Sequence, residues 1–546
     1  MKGLLLGCAA ALGLAVPAAG ADPAAPARLA ATVRTLTADA FGGRAPGTPG
    51  EDKTVAWLIA QLGALGLEPG GPGGAWTQAV PLVRTRIGAD GTVTVAGADG
   101  TMPLQPGRDI YATTARPVDR VAIAAAPLVF VGYGVTAPEQ AWDDFKGVDL
   151  KGKIAVFLVN DPDFEAAAAD GATGRFGGRR MTYYGRWTYK FEEAARRGAI
   201  GALIVHDTPG AGYGWDTVTA PGREVYDLVQ CDPAARVLVQ GWIEGAAATA
   251  LFRRAGLDLA ALRVRARQAD FRPVPLAGLT LSADLPVSHD RVSSRNVLAR
   301  LPGRDRPDEV VMVAAHWDAF GVGAPDAQGR TIRAGANDDA LGVAGVLEVA
   351  RSAVRGPRPA RSLVFALWTA EENGLLGSQA YAADPVYPLD RTVANFTLDV
   401  FQTAGPARDV MLIGKGQNQL EEALAAAAAA QGRTVTAEAL PERGLFYRAD
   451  HFPLARQGVP TLLMMALGGA PDLVDGGRAA GAAWLKSYMA CYHQTCDRLD
   501  ASWNLRGAAD DIALITKLGT DLANSTRWPE WYPGSEFKAI RDRSRR

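Results

Sequence analysis

The chain has 546 residues, more than one hydrophobic core usually organises, so two domains are expected. Its 57 basic and 58 acidic residues leave a net charge of −1, which argues against nucleic acid and other polyanionic partners. Beyond the amino-terminal segment no apolar run reaches the roughly 20 residues that a membrane span needs, so stable membrane insertion is not expected.

The first 21 residues have the pattern of a cleaved secretory signal peptide. Lys2 precedes an apolar region over residues 4–16, and the AGA string at 19–21 is a small-residue cleavage site. Cys8 ends an LLGC string, but too few residues precede it for a lipoprotein signal. The pattern therefore predicts a secreted or periplasmic protein whose mature chain begins near Asp22.

Residues 22–117 are expected to form the amino-terminal part of a catalytic domain. The strings ARLAATVRTLTADAF and EDKTVAWLIAQLGALGL repeat apolar positions at helical spacing, and the polar string GGRAPGTPG separates them. The alternating runs VPLVRTRI and TVTVAG, with Gly-Asp turns, then predict β-hairpins.

Residues 118–275 are expected to form a smaller, β-rich inserted domain. The strings APLVFVGYGVT, KGKIAVFLVND, RVLVQGWI and LRVRARQA predict strands, and TYKFEEAARRGAIGALIVHDT predicts a helix followed by a strand. Acidic residues and histidines are scattered through the segment, so no catalytic group is expected there. The insertion could form a lid over a cleft or only shield the sheet.

Strands and helices alternate over residues 276–527, which predicts a sheet layered between helices. The expected strands are NVLARL, EVVMVAAH, SLVFALWTA, TVANFTLD, DVMLIG and PTLLMMAL, and the expected helices are GVAGVLEVARSAV, NQLEEALAAAAAAQG, HFPLARQG and ASWNLRGAADDIALITKLGTDLANS. The predicted fold class is α/β, a three-layer α/β/α sandwich with a mixed central sheet plus the smaller β-rich domain. The tail over 528–546 has aromatic residues but little periodicity, and either lies on the surface or reaches a partner.

Acidic and imidazole side chains follow several apolar runs of this catalytic segment. In open α/β sheets, ligand-binding groups collect at the carboxyl ends of the strands. Five candidate metal ligands come from five segments, namely His316, Asp338, Glu372, Asp399 and His493. Five ligands suit two ions that share one carboxylate, and carboxylate and imidazole ligands without cysteine suit catalytic zinc. The sequence therefore predicts two Zn²⁺ per chain.

Two further carboxylates are expected to serve these ligands. Glu371 is adjacent to Glu372 but points differently, which leaves it as a general base for water. Asp318 lies on the same side of the strand as His316 and can accept a hydrogen bond from the second ring nitrogen. Asn337 and Asp339 have the character of turn formers and helix caps.

Cys491 and Cys496 flank His493 closely in sequence. In an oxidising compartment they are expected to form a disulfide around this histidine, which leaves Cys231 unpaired. Three free thiols are the alternative.

The strings HWD, GANDDALG, TAEENGLLGS, NFTLD and YHQTCD resemble the secreted dizinc aminopeptidases, a metallopeptidase family that also holds glutamate carboxypeptidase II and glutaminyl cyclase. The resemblance covers most of residues 286–500 and, more weakly, 42–53. Residues near 125–225 are similar to the protease-associated domain that is often inserted in such enzymes. The fold that this implies is of the zinc exopeptidase type.

The resemblance also implies how the five ligands are shared between two zinc ions. Asp338 would bridge the ions, Glu372 and His493 would complete one site, and His316 and Asp399 the other. The peptide bond between Asp338 and Asp339 is expected to be cis, as in the family.

The remaining residues in the matched strings receive roles in the same way. Glu371 would be the general base and acid, Asp318 the partner of His316, and Tyr492 a donor to the developing oxyanion.

The string FYRADHFPLARQGVP resembles the family's Ser-Asp-His loop, with Ala449 where serine is usual. Asp450 and His451 are expected to buttress the site. Arg448 and Tyr447 could bind substrate, although packing roles are equally compatible with the string.

The predicted function is an exported metallo-aminopeptidase that removes neutral or apolar residues from peptides with a free amino terminus. The sequence offers no obvious arginine cluster for a substrate's terminal carboxylate, although Arg443 and Arg448 weaken that argument. The alternatives are a carboxypeptidase or dipeptidase of the family, a glutaminyl cyclase with one zinc, or a non-catalytic binding protein of the same fold. The sequence gives no indication of oligomeric state.

Overall fold

A computed structural model describes residues 22–220, 222–230, 232 and 235–545. The signal peptide predicted over residues 1–21 and the unpaired thiol predicted at Cys231 lie outside the described residues.

The strands of the described chain are numbered in sequence order. They are β1 Glu68–Pro69, β2 Thr77–Ile87, β3 Thr92–Gly97, β4 Gly100–Leu104, β5 Ile110–Thr113, β6 Arg120–Phe130, β7 Thr136–Ala137, β8 Trp142–Asp143, β9 Ile154–Leu158, β10 Gly201–Val205, β11 Glu224–Leu228, β12 Val239–Ile243, β13 Val274–Leu301, β14 Arg306–His316, β15 Gly321–Val322, β16 Ile332–Arg333, β17 Arg361–Trp368, β18 Thr392–Leu398, β19 Asp409–Ile413, β20 Thr434–Ala437 and β21 Thr461–Met464.

The α-helices of the same residues are numbered in the same way. They are α1 Ala25–Leu36, α2 Pro49–Ala64, α3 Trp187–Arg196, α4 Thr208–Ala211, α5 Trp215–Thr219, α6 Gly245–Arg254, α7 Leu259–Arg265, α8 Leu341–Arg355, α9 Leu376–Ala383, α10 Leu420–Ala430, α11 His451–Ala455, α12 Gly477–Cys491, α13 Arg506–Asn524 and α14 Lys538–Ser544.

One strand, β13, takes part in two sheets. Its first half pairs with β3 and β6, and its second half pairs with β2 and β17. A continuous strand of 28 residues therefore connects the two sheets through backbone hydrogen bonds.

The catalytic sheet has the strand order β11-β2-β13-β17-β14-β18-β21-β19-β20, and β1 pairs with the carboxyl end of β13. Strands β17, β14, β18 and β21 are parallel, whereas β13 and β19 run antiparallel to their neighbours in this central group. The sheet is therefore mixed, and the parallel centre places several strand ends at one edge.

The second sheet has the order β4-β3-β13-β6-β9-β10-β12-β5. Its strands β6, β9, β10 and β12 are parallel to one another. Because β3, β4 and β5 pair within this sheet, it begins earlier in the chain than the predicted insertion. The limits of 118 and 275 remain a prediction.

Helices cover both faces of the catalytic sheet. Alternate residues of β14 face opposite sides, as a strand requires, so Val311 and Val313 pack with α1, α8 and α13, while Met312 and Ala314 pack with α9 and α11. Both faces are buried, which explains why this strand is apolar throughout. The α/β/α prediction is confirmed.

Two local predictions were wrong, and one helix was missed. The string LRVRARQA lies in and just after helix α7 instead of forming a strand, and Asp258 caps this helix by accepting hydrogen bonds from two backbone N–H groups. Strand β2 pairs with β11 and β13, so β3 and β4 alone form a hairpin in this part of the described chain. Helix α12 was not predicted, because its buried residues are only Gly481 and Tyr488 and no apolar stripe marks it.

The carboxyl-terminal tail packs on the catalytic sheet's helical layer. Trp531 and Phe537 are both 2% exposed, their ring centroids are 4.8 Å apart, and the Trp531 indole donates a hydrogen bond to the carbonyl of Gly458. No helix in the residues that the structure describes is long and apolar enough to cross a membrane.

Candidate metal centre

The candidate ligands gather at the carboxyl edge of the parallel strands. His316 is the last residue of β14, Asp399 directly follows β18, and the two glutamates follow β17 by a short turn. All of these side chains are buried or nearly so. The local sequences place them there because each apolar strand runs through the core and ends at this edge.

Asp338 occupies the middle of the cluster. One of its carboxylate oxygens, Oδ1, lies 3.1 Å from Nε2 of His316, and the other, Oδ2, lies 3.3 Å from Nε2 of His493. The peptide bond between Asp338 and Asp339 is cis. A carboxylate whose two oxygens face different histidines has the arrangement that a bridging ligand needs.

Two groups of side chains could each hold an ion. The first contains His316, Asp339 and Asp399, and the second contains Asp338, Glu372 and His493. Within each group the candidate ligand atoms lie within 4.8 Å of one another, and Nε2 of His493 is 3.2 Å from a carboxylate oxygen of Glu372. All five sequence-predicted ligands are therefore brought together.

Asp339 belongs to one of these ligand groups in addition to its predicted role as a helix cap. Its carboxylate accepts a hydrogen bond from the backbone N–H of Gly342 at 2.8 Å, and a second, longer one from the N–H of His316 at 3.3 Å. A side chain at position 342 would collide with the Asp339 carboxylate, so glycine is required there. Asp339 thus caps α8 and also lies within reach of a cation.

Glu371 lies beside the cluster without joining either ligand group. One of its carboxylate oxygens is 3.9 Å from Nε2 of His316, and its backbone N–H donates to the Asp318 carboxylate at 3.1 Å. Nδ1 of His316 is 3.2 Å from the carbonyl oxygen of Asp318 and 3.6 Å from its carboxylate. Asp318 therefore contacts both His316 and Glu371, and its carbonyl is the nearer partner of the imidazole.

The acidic groups of the cluster oppose one another's ionisation. Burial, together with the charges of neighbouring carboxylates, raises the pKa of Glu371 and of Glu372 well above the ordinary value. Burial and the charge of Asp338 raise the pKa of Asp399 to about 8. Burial would also raise the pKa of Asp338, but hydrogen bonds from His316 and His493 outweigh it and lower that pKa.

Two residues that sequence analysis left without a role hold the Asp338 loop in place. The Asp497 carboxylate accepts hydrogen bonds from the N–H groups of Asn337 and Asp338 at 3.1 and 3.2 Å, and burial raises the pKa of Asp497 to about 7. The Arg44 guanidinium is fully buried and donates to the carbonyls of Trp317, Leu36, Ala334 and Gly335.

These contacts had only faint sequence signals. Asp497 ends the YHQTCD string, and Arg44 lies in the GGRAPGTPG string that separates two helices. Neither string indicates a buried contact, because the groups that Arg44 and Asp497 bind are backbone carbonyl and N–H groups, most of them from distant segments.

Tyr492 and Arg448 lie on one side of the cluster. The Tyr492 ring packs against the His493 ring with centroids 3.7 Å apart, and Nη2 of Arg448 donates to the Tyr492 hydroxyl at 3.3 Å. Tyr447 also lines the adjoining cleft, but its hydroxyl donates to Glu536 of the tail at 2.8 Å.

The loop that carries His493 is closed by a bond between the sulfur atoms of Cys491 and Cys496. His493 lies between the two cysteines with a positive φ of 63°. Asp450 accepts a hydrogen bond from Ser378, and His451 is buried against Phe446, with ring centroids 4.7 Å apart. Both residues lie behind the site and do not join either ligand group.

Residues 296–516 match the model of peptidase family M28. This segment belongs to peptidase family M28. The family resemblance drawn from the motifs is therefore confirmed, and the matched segment contains all five candidate ligands together with Glu371, Asp318 and Tyr492. Arg44 lies outside the M28 segment.

Individual relatives match the chain over limited lengths. Leupeptin-inactivating enzyme 1 of Streptomyces exfoliatus is 27% identical over 206 residues, which are 37% of this chain and 43% of that protein. A glutamate carboxypeptidase 2 homolog of Caenorhabditis briggsae is 32% identical over 130 residues, 23% of this chain and 15% of that protein. The chain thus aligns with less than half the length of these curated relatives.

Among solved structures, an aminopeptidase from Aneurinibacillus sp. strain AM-1 has a similar fold. The TM-score is 0.52 at 21% sequence identity, and the alignment covers 93% of this chain and 95% of that one. Since the alignment includes nearly the whole chain, the similarity in fold extends beyond the M28 segment to the second sheet.

The side chains of the M28 segment fit a zinc centre. Buried carboxylates this close together are stable as anions only with compensating positive charge, and cations bound between them would supply it. The donors are imidazole nitrogens and carboxylate oxygens, a set that catalytic zinc uses. Two groups of donors share one edge of the sheet, which is compatible with more than one ion.

Proposed function

We propose that this protein is an exported aminopeptidase that hydrolyses the first peptide bond of substrates with a free amino terminus, using two zinc ions and a glutamate general base. The observation that carries the proposal is the position of Asp338, whose two oxygens lie 3.1 and 3.3 Å from the nearest ring nitrogens of two different histidines. Membership of the M28 segment in a peptidase family supports the same reaction class.

In the proposal, Asp338 would be shared by the two ions. Glu372 and His493 would hold one of them, and His316 and Asp399 would hold the other, with Asp339 in the same donor group as these two. When bound, zinc would lower the pKa of water and polarise a carbonyl oxygen. Two metal ions would distinguish the aminopeptidase reading from a glutaminyl cyclase with one.

Glu371 is the proposed proton carrier. It is buried beside the ligands and is not a member of either ligand group, so its carboxylate is free to accept a proton from the attacking water and pass it to the leaving amine. Its backbone is anchored by the hydrogen bond to Asp318, which also contacts His316 and holds that ring in orientation.

Tyr492 is the proposed donor to the tetrahedral oxygen. Its ring packs on His493, and its hydroxyl receives a hydrogen bond from Arg448, which leaves the hydroxyl proton available to a substrate oxygen. Export is proposed from the signal pattern over residues 1–21, and the disulfide next to His493 supports an oxidising compartment.

The direct test of Glu371 is the substitution Glu371→Gln. We expect the zinc-loaded variant to keep its metal content and to lose at least about 100-fold in kcat for leucine arylamide, because general base catalysis contributes roughly that factor or more. Metal content per chain and hydrolysis with and without a chelator are measured together.

Gln379→Glu provides a matched control, because Gln379 lines the same cleft but contacts the backbone of Gly374 and no candidate ligand. Near-normal kcat in zinc-replete Glu371→Gln would refute the assigned role. Hydrolysis that a chelator leaves untouched would refute the metallopeptidase proposal itself.

A further inference from the structure

Asn337 connects the loop that contains Asp338 to the turn that follows Asp399. The Asn337 side chain is fully buried, and its Nδ2 donates a hydrogen bond to the carbonyl of Phe401 at 2.8 Å. Its Oδ1 accepts a hydrogen bond from the N–H of the same residue at 3.1 Å. The amide therefore pairs with both backbone groups of Phe401, as a neighbouring strand would, instead of capping a helix as the sequence suggested.

The backbone of Asn337 has a separate anchor. Its N–H and the N–H of Asp338 both donate to the Asp497 carboxylate. Asp497 therefore holds the main chain of this loop, and Phe401 holds the Asn337 side chain. A substitution of that side chain removes the second connection and leaves the first in place.

The turn after Asp399 depends on such support. Val400 has a φ of 49°, a left-handed conformation that is uncommon outside glycine and an outlier for a β-branched residue. Strained residues of this kind persist where surrounding contacts overdetermine them. The carbonyl of Val400 accepts a hydrogen bond from the N–H of Ala466 at 2.9 Å, and the next residue is Phe401 with its two bonds to Asn337. Loss of the Asn337 amide would free the Phe401 side of this turn.

Only one of the two ligand groups contains Asp399. It is the first group, whose other members are His316 and Asp339. The second group contains Asp338, whose loop keeps its anchor to Asp497 whatever side chain stands at position 337. A movement of Asp399 would therefore change the first ligand group and spare the second.

We propose that Asn337 is a positioning residue that fixes Asp399 within the first ligand group and thereby sets how tightly this group holds its ion. The inference rests on the proposed two-zinc function and adds a residue that controls one of the two ions. Groups that orient metal ligands from behind typically contribute about 10- to 100-fold to metal affinity. Asn337 acts in this way through the backbone of Phe401.

The test is the nearly isosteric substitution Asn337→Leu, with zinc affinity as the readout. It removes both hydrogen bonds to Phe401 and adds no charge to the acidic cluster. Titration of zinc against a competing chelating dye gives the dissociation constants of both ions without any peptide substrate. We expect one ion to bind about 10- to 100-fold more weakly while the other stays within about 3-fold of wild type. If this variant does not fold, Asn337→Ser, which introduces no apolar bulk, should show the same selective loss.

Anomalous diffraction at the zinc absorption edge identifies the affected ion. At a zinc concentration between the two dissociation constants of Asn337→Leu, the peak beside His316 should be depleted and the peak beside His493 retained. Depletion of the peak beside His493, or equal depletion of both, would overturn the inference.

Asn418→Leu is the matched control for loss of stability. Asn418 is 2% exposed, its Nδ2 donates to the carbonyl of Thr461 at 2.8 Å, and its Oδ1 accepts from the N–H of Leu420 at 3.0 Å. The substitution thus removes two bonds to the backbone of nearly the same lengths, outside both ligand groups. It should lower the urea midpoint about as much as Asn337→Leu while both zinc dissociation constants stay within about 3-fold of wild type. Equal effects of the two substitutions on zinc would show that Asn337 has no positioning role.

Failure of this inference is distinguishable from failure of the proposed function. If wild type binds two zinc ions but hydrolyses no peptide, the aminopeptidase proposal is refuted, and the zinc affinities still decide the role of Asn337. If wild type hydrolyses leucine arylamide but Asn337→Leu weakens neither ion selectively, the role of Asn337 alone is refuted. Wild type that binds no zinc refutes both.

Discussion

At the scale of single residues, the candidate metal centre consists of ionisable side chains that are buried in the protein. Glu371 and Asp399 were identifiable in the sequence because acidic residues rarely follow apolar strands without a function, and Asp338 because it lies just ahead of an apolar helix in a family-like string. Asp339 was predicted only as a turn former and helix cap. Arg44 was not identifiable. Its four carbonyl acceptors come from three segments of the chain, and backbone acceptors leave no trace in composition or periodicity.

Arg44→Met should destabilise the protein strongly. The substitution removes four hydrogen bonds and leaves buried carbonyl groups without a donor, each of which costs roughly 1–3 kcal/mol. We expect the free energy of unfolding to fall by at least about 3 kcal/mol in urea denaturation.

Arg34→Met, an exposed position on helix α1, is the control and should change the free energy of unfolding by less than about 0.5 kcal/mol. An Arg44→Met protein as stable as this control would show that the four hydrogen bonds do not hold the Asp338 loop.

At the scale of elements, apolar runs predicted the central strands well. Strands β14, β17 and β18 are buried on both faces, so each reads as a continuous apolar stretch that stops at the site. Helices α7 and α12 were missed for the opposite reason. Helix α7 has no buried residue and α12 has two, so neither has an apolar stripe. Asp258 caps α7, whereas α12 has no side-chain cap.

The tail shows how an element without periodicity can still be integral to the fold. Trp531→Ala should cost about 3–5 kcal/mol of unfolding free energy, because it opens a cavity beside Phe537 and leaves the Gly458 carbonyl without its donor. Chemical denaturation measures the change.

Tyr532→Phe removes only a hydroxyl that bonds to exposed Glu422 and should be nearly neutral. If Trp531→Ala were also nearly neutral, the tail would contribute little to the stability of the catalytic sheet.

At the scale of the whole molecule, two sheets share strand β13 and the cleft lies between them. The fold class of the catalytic domain was predictable from the alternation of strands and helices. In contrast, nothing in the sequence indicated that Arg186, which directly precedes helix α3, and Arg448 line the same cleft. These arginines are 262 positions apart in the sequence. Only the packing of the two sheets against each other brings them to one cleft. Sequence spacing contains no information about such a contact.

Removal of zinc should make the stability of the whole protein depend on pH. The folded-state pKa of Asp399 is about 8 and that of Asp497 about 7, both above the value of an unfolded aspartate. The folded state therefore keeps protons that the unfolded state has released. The resulting stability is fully present below about pH 4 and is lost as pH rises through 7 to 8.

For zinc-free protein we expect the free energy of unfolding to fall by on the order of 4 kcal/mol between pH 6 and pH 8, because Asp399 retains its proton over most of this range and Asp497 over the first half of it. Bound zinc should suppress this fall, because the carboxylates are then ionised beside cations. Urea denaturation at both pH values, with zinc and with a chelator, measures the difference. The same pH dependence in both states would count against cation binding by these carboxylates.

The most direct measurement is anomalous diffraction at the zinc absorption edge from crystals of zinc-loaded protein. We expect two peaks per chain, about 3.5–4 Å apart, with one oxygen of Asp338 on each ion and with His316 and His493 on opposite ions. A single peak, or two peaks away from Asp338, would contradict a centre of two ions bridged by this carboxylate.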